Sequence, residues 1–122
     1  MYEKYIPVLG ICLGMQTMAY LFNGKFDKID NHNSLEKYVH NINIDKNSKL
    51  YKIIRKNKIM VNSRHNECIT NTDLNVSSYS NVIESIEDIN KKFFIGVQWH
   101  PESLMDENSK NLFESFFFST KW

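Results

Sequence analysis

The stretch Pro7-Val-Leu-Gly-Ile-Cys-Leu-Gly-Met-Gln16, PVLGICLGMQ, changes its periodicity at the cysteine. Residues 5–11 (YIPVLGI) form a short apolar run that reads as a strand buried on both faces, as in a parallel sheet. Beyond Cys12, the residues Leu13, Met15, Met18, Ala19, Leu21 and Phe22 recur at helical spacing, and Asn23-Gly24 supplies a stop. Gly10-Ile-Cys-Leu-Gly14 therefore sits where a strand turns into a helix, with the form of a nucleophile elbow that carries cysteine. Such a turn is tight, which predicts that both flanking glycines are needed for their small size. It lifts the thiol above the sheet at a helix N-terminus, where the dipole favours thiolate. The next amide, Leu13 N–H, points where an oxyanion would form. The competing reading of these five residues is a glycine-flanked cysteine acting as a small core hydrophobe.

A cysteine nucleophile needs a base, and the base needs an orienting group. Phe94-Ile-Gly-Val-Gln-Trp-His-Pro-Glu102, FIGVQWHPE, supplies both at the end of a second apolar strand. His100 emerges at the rim of the sheet, Pro101 stiffens the turn, and Glu102 can curl back to hold the imidazole in one tautomer. A surface histidine in a turn is the alternative. It is weakened by two half-triads, each at a strand's C-terminal end, in one short chain.

The rest of the chain reads as one α/β domain over residues 1–122, with a few antiparallel strands after the first strand–helix unit. Residues 25–36 look like a polar loop. Residues 37–45, 58–62, 75–80, 82–88 and 93–99 read as strands, residues 48–57 as a short amphipathic helix, and the segment from residue 106 as a C-terminal helix. The length of 122 residues suits a single core, and 42% apolar with 24% charged residues is ordinary for a globular protein. A net charge of +1 leaves no electrostatic footprint for nucleic acid, and no apolar run is long enough to span a membrane. Two cysteines, Cys12 and Cys68, make no disulfide framework, and residues 1–10 make no persuasive signal peptide, so a reducing cytoplasmic setting is expected. His65 and Cys68 form H-x-x-C, but no second pair has metal spacing, so no metal is expected. His32 and His40 read as solvated loop and strand residues. VNSRH, residues 61–65, ends a strand with several hydrogen-bonding groups and reads either as a substrate-binding loop or as an ordinary polar turn.

Together, PVLGICLGMQ and GVQWHPE resemble the motifs of the class I glutamine amidotransferase superfamily. VNSRH resembles the N-S-x-H loop of its γ-glutamyl-γ-aminobutyrate hydrolase branch. The similarity runs from about residue 5 to the C-terminus. It implies a flavodoxin-like three-layer fold and a triad of Cys12, His100 and Glu102, with Leu13 N–H as an oxyanion donor. It further implies that Gly14 and Gln16 lie at the glutamyl pocket and that Asn62, Ser63, Arg64 and His65 hold the amino-acid end of the substrate. Glutamine or a small γ-glutamyl amine is the implied substrate, with no cofactor needed. Two features depart from the hydrolase branch: Leu13 follows the cysteine where that branch usually has Arg, and Asn66-Glu67 follows His65 where it usually has His-Gln.

Members of the superfamily carry several strands and helices ahead of the elbow, including a glycine-rich loop that supplies a second oxyanion N–H. The chain thus corresponds to the C-terminal two-thirds of the domain, and losing that donor would cost ~2.7–4 kcal/mol, or ~10²–10³ in rate. The strand at residues 5–11 would lack its usual neighbours on one edge, which invites association. The expected partner is a second copy of the chain, a separately encoded N-terminal segment, or the remainder of a longer chain. Three functions follow from the resemblance. One is γ-glutamyl amide hydrolysis through a cysteine thioester. Another is a glutaminase that passes ammonia to a synthase. The third is an inactive remnant or binding module.

Overall fold

The computed structural model describes residues 6–30 and 32–120. Its sheet is built outward from the elbow strand. Strand β1 (Val8–Ile11) runs parallel to β8 (Phe94–Val97) with Gly10 opposite Gly96, and Cys12 N–H extends the ladder to Val97 O at 2.7 Å. Antiparallel pairing then adds β7 (Ile83–Glu87), β6 (Asn75–Tyr79), β3 (His40–Ile44) and β4 (Lys58–Val61), in the order β1-β8-β7-β6-β3-β4. The sheet is therefore mixed α/β as expected, but more antiparallel than the elbow alone suggests. Strand β1 is half-buried rather than sealed on both faces, because among the described residues β8 is its one ladder neighbour.

Alternation along β1 and β8 feeds two cores. Leu9, Ile11, Ile95 and Val97 face a large core closed by helices α2 (Lys49–Ile54) and α4 (Glu107–Ser119). Val8 and Phe94 face a smaller core under helix α1 (Leu13–Leu21), where Met15, Met18 and Ala19 are buried. This gives three layers. Helix α2 is capped twice: Ser48 Oγ accepts from Tyr51 N–H, and the buried Glu87 carboxylate accepts from Lys49 and Leu50 N–H at 2.7 and 3.2 Å. The first helical amides thus solvate a charge that would otherwise be costly inside the protein.

Two strands escape a periodicity reading. Residues 25–36 hold β2 (Lys25–Lys28), exposed along its length and polar except at Phe26, which pairs antiparallel with β5 (Glu67–Asn71) in a separate two-stranded sheet. Neither segment has a strand-like pattern across its whole length; each is a strand because the other supplies its ladder. A one-turn helix α3 (Pro101–Leu104) follows His100, with Pro101 at its first position.

The two elbow glycines are not equivalent. A Cβ on Gly10 would lie 2.5 Å from Met18 Sδ and 2.8–2.9 Å from the backbone of Gly14 and Met15, while a Cβ on Gly14 meets nothing within 4 Å. Tightness at the turn constrains Gly10 alone, which corrects the expectation that both must be small. Gly10→Ala should lower the urea unfolding midpoint by an equivalent of ~1–3 kcal/mol, the usual cost of overpacking. Gly14→Ala should leave it unchanged or raise it by up to about 1 kcal/mol, since alanine is the better helix former. Equal losses at the two positions would contradict this packing.

Candidate active site

Cys12 is the N-cap of α1 and sits at φ 52°, ψ −102°. Positive φ in a side-chain-bearing residue is strained, and here the strain is what aims the thiol out of the strand and over the helix start. Cys12 Sγ accepts from the Gln98 side-chain amide at 3.4 Å and faces Arg64 O at 4.0 Å. Leu13 N–H, free of an intrahelical partner at this first position, is directed at the sulfur.

The electrostatics run against the expectation of a helix-stabilised thiolate. Burial pushes the Cys12 thiol above its ordinary value; the Leu13 N–H and Gln98 amide pull it down in part, and Glu102 pushes it further up. The helix start offers one well-placed amide, and removing sulfur from water outweighs it.

His100 follows β8 at the same rim as the elbow, because β1 and β8 are parallel and in register. Its Nδ1 lies 2.7 Å from Glu102 Oε2. A carboxylate can only accept, so Nδ1 carries a proton, and in the neutral imidazole Nε2 would keep its lone pair. Both groups reach solvent, with 26% and 48% side-chain exposure. The backbone of His100 is gripped from across the sheet. Asn62, buried just beyond β4, accepts from His100 N–H at 2.8 Å and donates to His100 O at 3.0 Å.

The Asn62–His65 loop therefore divides by role. Asn62 commits its amide to His100. Ser63, also buried, donates to His32 O at 2.6 Å and accepts Ser34 N–H on its own carbonyl. Arg64 and His65 instead join Cys12, Gln16, Lys28, Asn66 and Glu67 around a cleft of about 530 Å³. Arg64 Nη1 donates to Ser103 Oγ at 3.1 Å, and His65 Nδ1 donates to Glu67 O at 2.7 Å. Gln16 Nε2 reaches Glu67 O and Gln98 Oε1 at 3.4 and 3.5 Å. Gly14 lies off this cleft, beside Thr17 and Met18 in an apolar groove along β1.

Gln98 escapes the motif reading, although it lies inside FIGVQWHPE. A signal for it exists: alternation puts residues 96, 98 and 100 on one face, and a fully buried glutamine ending an apolar strand needs partners. His32, expected to be solvated, is 5% exposed. His40, likewise, is held by Glu84 at 2.9 Å. His32 is buried and His40 half-buried, each against a segment brought to it by the fold. No helix among the described residues is long and apolar enough to cross a membrane.

Known proteins resemble this chain in sequence and in fold. The chain is 31% identical over 116 residues to the glutamine-hydrolysing GMP synthase of Francisella tularensis subsp. holarctica, covering 94% of this chain and 22% of that one. It is 33% identical over 120 residues to the GMP synthase of Dictyostelium discoideum, covering 91% of this chain and 16% of that one. The chain thus spans about a fifth of the relatives it matches. Among solved structures, a candidate GMP synthase component from Thermoplasma acidophilum superposes with TM-score 0.78 at 22% identity, over 97% of this chain and 58% of that one. A glutamine amidotransferase from Thermotoga maritima gives 0.67 at 19% identity, over 94% and 48%. These structures share the fold, and a family model described as Peptidase C26 matches residues 1–102. With more than half of its length inside that match, and with the elbow and the His100–Glu102 pair within it, the chain belongs to the Peptidase C26 family of class I glutamine amidotransferases.

Proposed function

We propose that this domain hydrolyses the side-chain amide of glutamine through a thioester on Cys12, as the glutaminase part of an ammonia-supplying assembly. The observation that carries the reading is the shared rim. A strained cysteine at a helix start and a histidine with its proton fixed on Nδ1 emerge from two adjacent, in-register parallel strands. The cleft beside Cys12 also offers both charges that a free amino acid needs: Glu67 for an ammonium group, Arg64 and Lys28 for a carboxylate.

In the proposed reaction, His100 takes the Cys12 proton and the sulfur attacks the amide carbon. Leu13 N–H steadies the oxyanion. The C–N bond breaks as His100 returns the proton to the departing ammonia, and water then cleaves the thioester to glutamate. Because the resting thiol is not acidic, removal of its proton by His100 is part of the work. Gln98 and Asn62 act as positioning residues, one on the sulfur and one on the His100 backbone. Membership of the Peptidase C26 family supports a second reading, hydrolysis of other γ-glutamyl amides by the same residues, with the leaving amine as the difference.

Among the described residues β1 has β8 on one side and no strand on the other, and that edge bears on partners. Alongside it, Val8, Leu9, Thr17, Met18, Leu21 and Phe94 line an apolar groove of about 330 Å³, and Leu21 is 69% exposed. We assign this edge to a further strand–helix segment of the same domain, because the chain covers 58% of its Thermoplasma structural neighbour.

Four outcomes test these assignments. A diazoketone analogue of glutamine should label Cys12 and spare Cys68, as read by peptide mass spectrometry; labelling at Cys68 with Cys12 inert removes the nucleophile assignment. Without substrate, alkylation of Cys12 should speed up as pH rises, with a midpoint above the ~8.5 of a free thiol, because burial raises the thiol in the folded state. A midpoint below neutrality would show a preformed thiolate. In an active assembly, Glu102→Gln should lower kcat by ~10²–10⁴ while the thioester still forms, a smaller loss than Cys12→Ala; unchanged kcat removes Glu102 from the triad. Supplying the N-terminal segment of a Peptidase C26 domain should convert self-associated chain into a defined heterocomplex by light scattering and raise glutaminase activity. A monomer of full activity, ~1–10³ s⁻¹, without that segment would refute the edge assignment.

A further inference from the structure

A second polar cluster lies outside the cleft at Cys12. His32 from the loop after β2, His40 at the start of β3 and Glu84 on β7 each offer one donor atom, and the three atoms lie within 4.8 Å of one another. His32 and Glu84 are 5% and 1% exposed. Glu84 Oε2 meets His40 Nε2 at 2.9 Å and Ser80 Oγ at 2.7 Å. A carboxylate this deeply buried requires a paired charge or a metal, and its ion-pair partner is an imidazole that is charged only when protonated.

The neighbouring nitrogens point the same way. His32 Nδ1 is buried with no hydrogen-bond partner, and its ring stands between those of His40 and His65, with centroids 4.9 and 5.1 Å away. His65 donates Nδ1–H to Glu67 O, and its Nε2 too is buried without a partner. Orphaned buried polar atoms call for an ion or a water. His32 and His40 also line a cleft of about 720 Å³, shared with Asp27, Asp30 and Ser80, which would leave a coordination position open to small ligands.

We propose that His32, His40 and Glu84 form a binding site for a divalent transition-metal ion of the zinc type, with the remaining position facing the cleft. Two imidazoles and a carboxylate suit borderline ions such as Zn²⁺ and Co²⁺ and disfavour Mg²⁺ and Ca²⁺, which take all-oxygen sites. His32 and His40 lie eight residues apart and Glu84 comes from a distant strand, so no compact metal motif is visible in the chain. The ion would tie the loop at His32 to the sheet. That loop already supports the active-site side, because Ser63 Oγ and His65 N–H both donate to His32 O.

The test uses the full chain stripped of metal, with Zn²⁺ alone and Co²⁺ alone as probes. Titration should give about one ion per chain. Co²⁺ should develop the visible bands of a low-coordinate nitrogen–oxygen site without a thiolate charge-transfer band. His40→Ala and Glu84→Gln should each weaken Zn²⁺ binding by ~100-fold or more, while Cys12→Ser should bind as the parent does. If either cluster variant fails to fold, thermal melting of the parent decides: Zn²⁺ should raise Tm and Mg²⁺ should not. Folded parent that binds no Zn²⁺, variants that bind with parental affinity, or a Co²⁺ spectrum dominated by thiolate would each overturn the site.

Discussion

The pairing of β1 with β8 is the constraint on which the rest depends. Gly10 stands opposite Gly96, and both lie under α1: a Cβ on Gly96 would come within 3.0–3.1 Å of Met15 and Met18. Two glycines side by side let the helix drop onto the sheet. That descent forces the sharp turn at Cys12, with its positive φ, and places the thiol beside the end of β8. Parallel direction does the rest, since it brings the elbow and His100 out at one rim. An antiparallel pair would have sent them to opposite ends.

Around that rim the structure fixes backbones more firmly than it fixes the side chains proposed to react. The peptide at His100 is held at both its N–H and its carbonyl by one buried asparagine, and the loop carrying Arg64 is tied to residues 32–34 by three hydrogen bonds. The His100 and Glu102 side chains stay partly in water. This division suits an active site in which the scaffold is rigid and the proton-carrying groups can adjust to a substrate.

The state of Cys12 follows from the same geometry. Lifting the sulfur onto a helix start offers it an amide, yet seating it against Gln98 and Arg64 O takes it out of water, and the second effect wins. In the proposed chemistry the nucleophile is therefore made when His100 acts and is not stored as an ion. The deep polar cluster at Glu84 poses the opposite case. There a carboxylate is enclosed with imidazoles whose charge depends on protonation, which is why a cation is proposed for it.

Local chemistry determined the elbow, the Ser48 cap of α2, the Asp106 cap of α4, whose side chain accepts from Ser109 N–H, and the alternation of Val8–Ile11 and Phe94–Val97, because each depends on neighbours within a few residues; the second cap of α2, Glu87, comes from β7. The His100–Glu102 pair was legible for the same reason: two residues and a proline set its reach. The Peptidase C26 family was legible too, through motifs at the two strand ends. Pairing between distant segments was decided only by the tertiary structure. The exposed, polar β2 became a strand through β5, and Asn62, predicted to hold substrate, was drawn to His100 from 38 residues away. Gln98 acquired the sulfur of Cys12 across 86 residues. His32, His40 and Glu84 met because the order of strands brought them together. A chain displays its short-range chemistry in its order of residues, but burial and polar partnership belong to whichever segments the sheet makes neighbours.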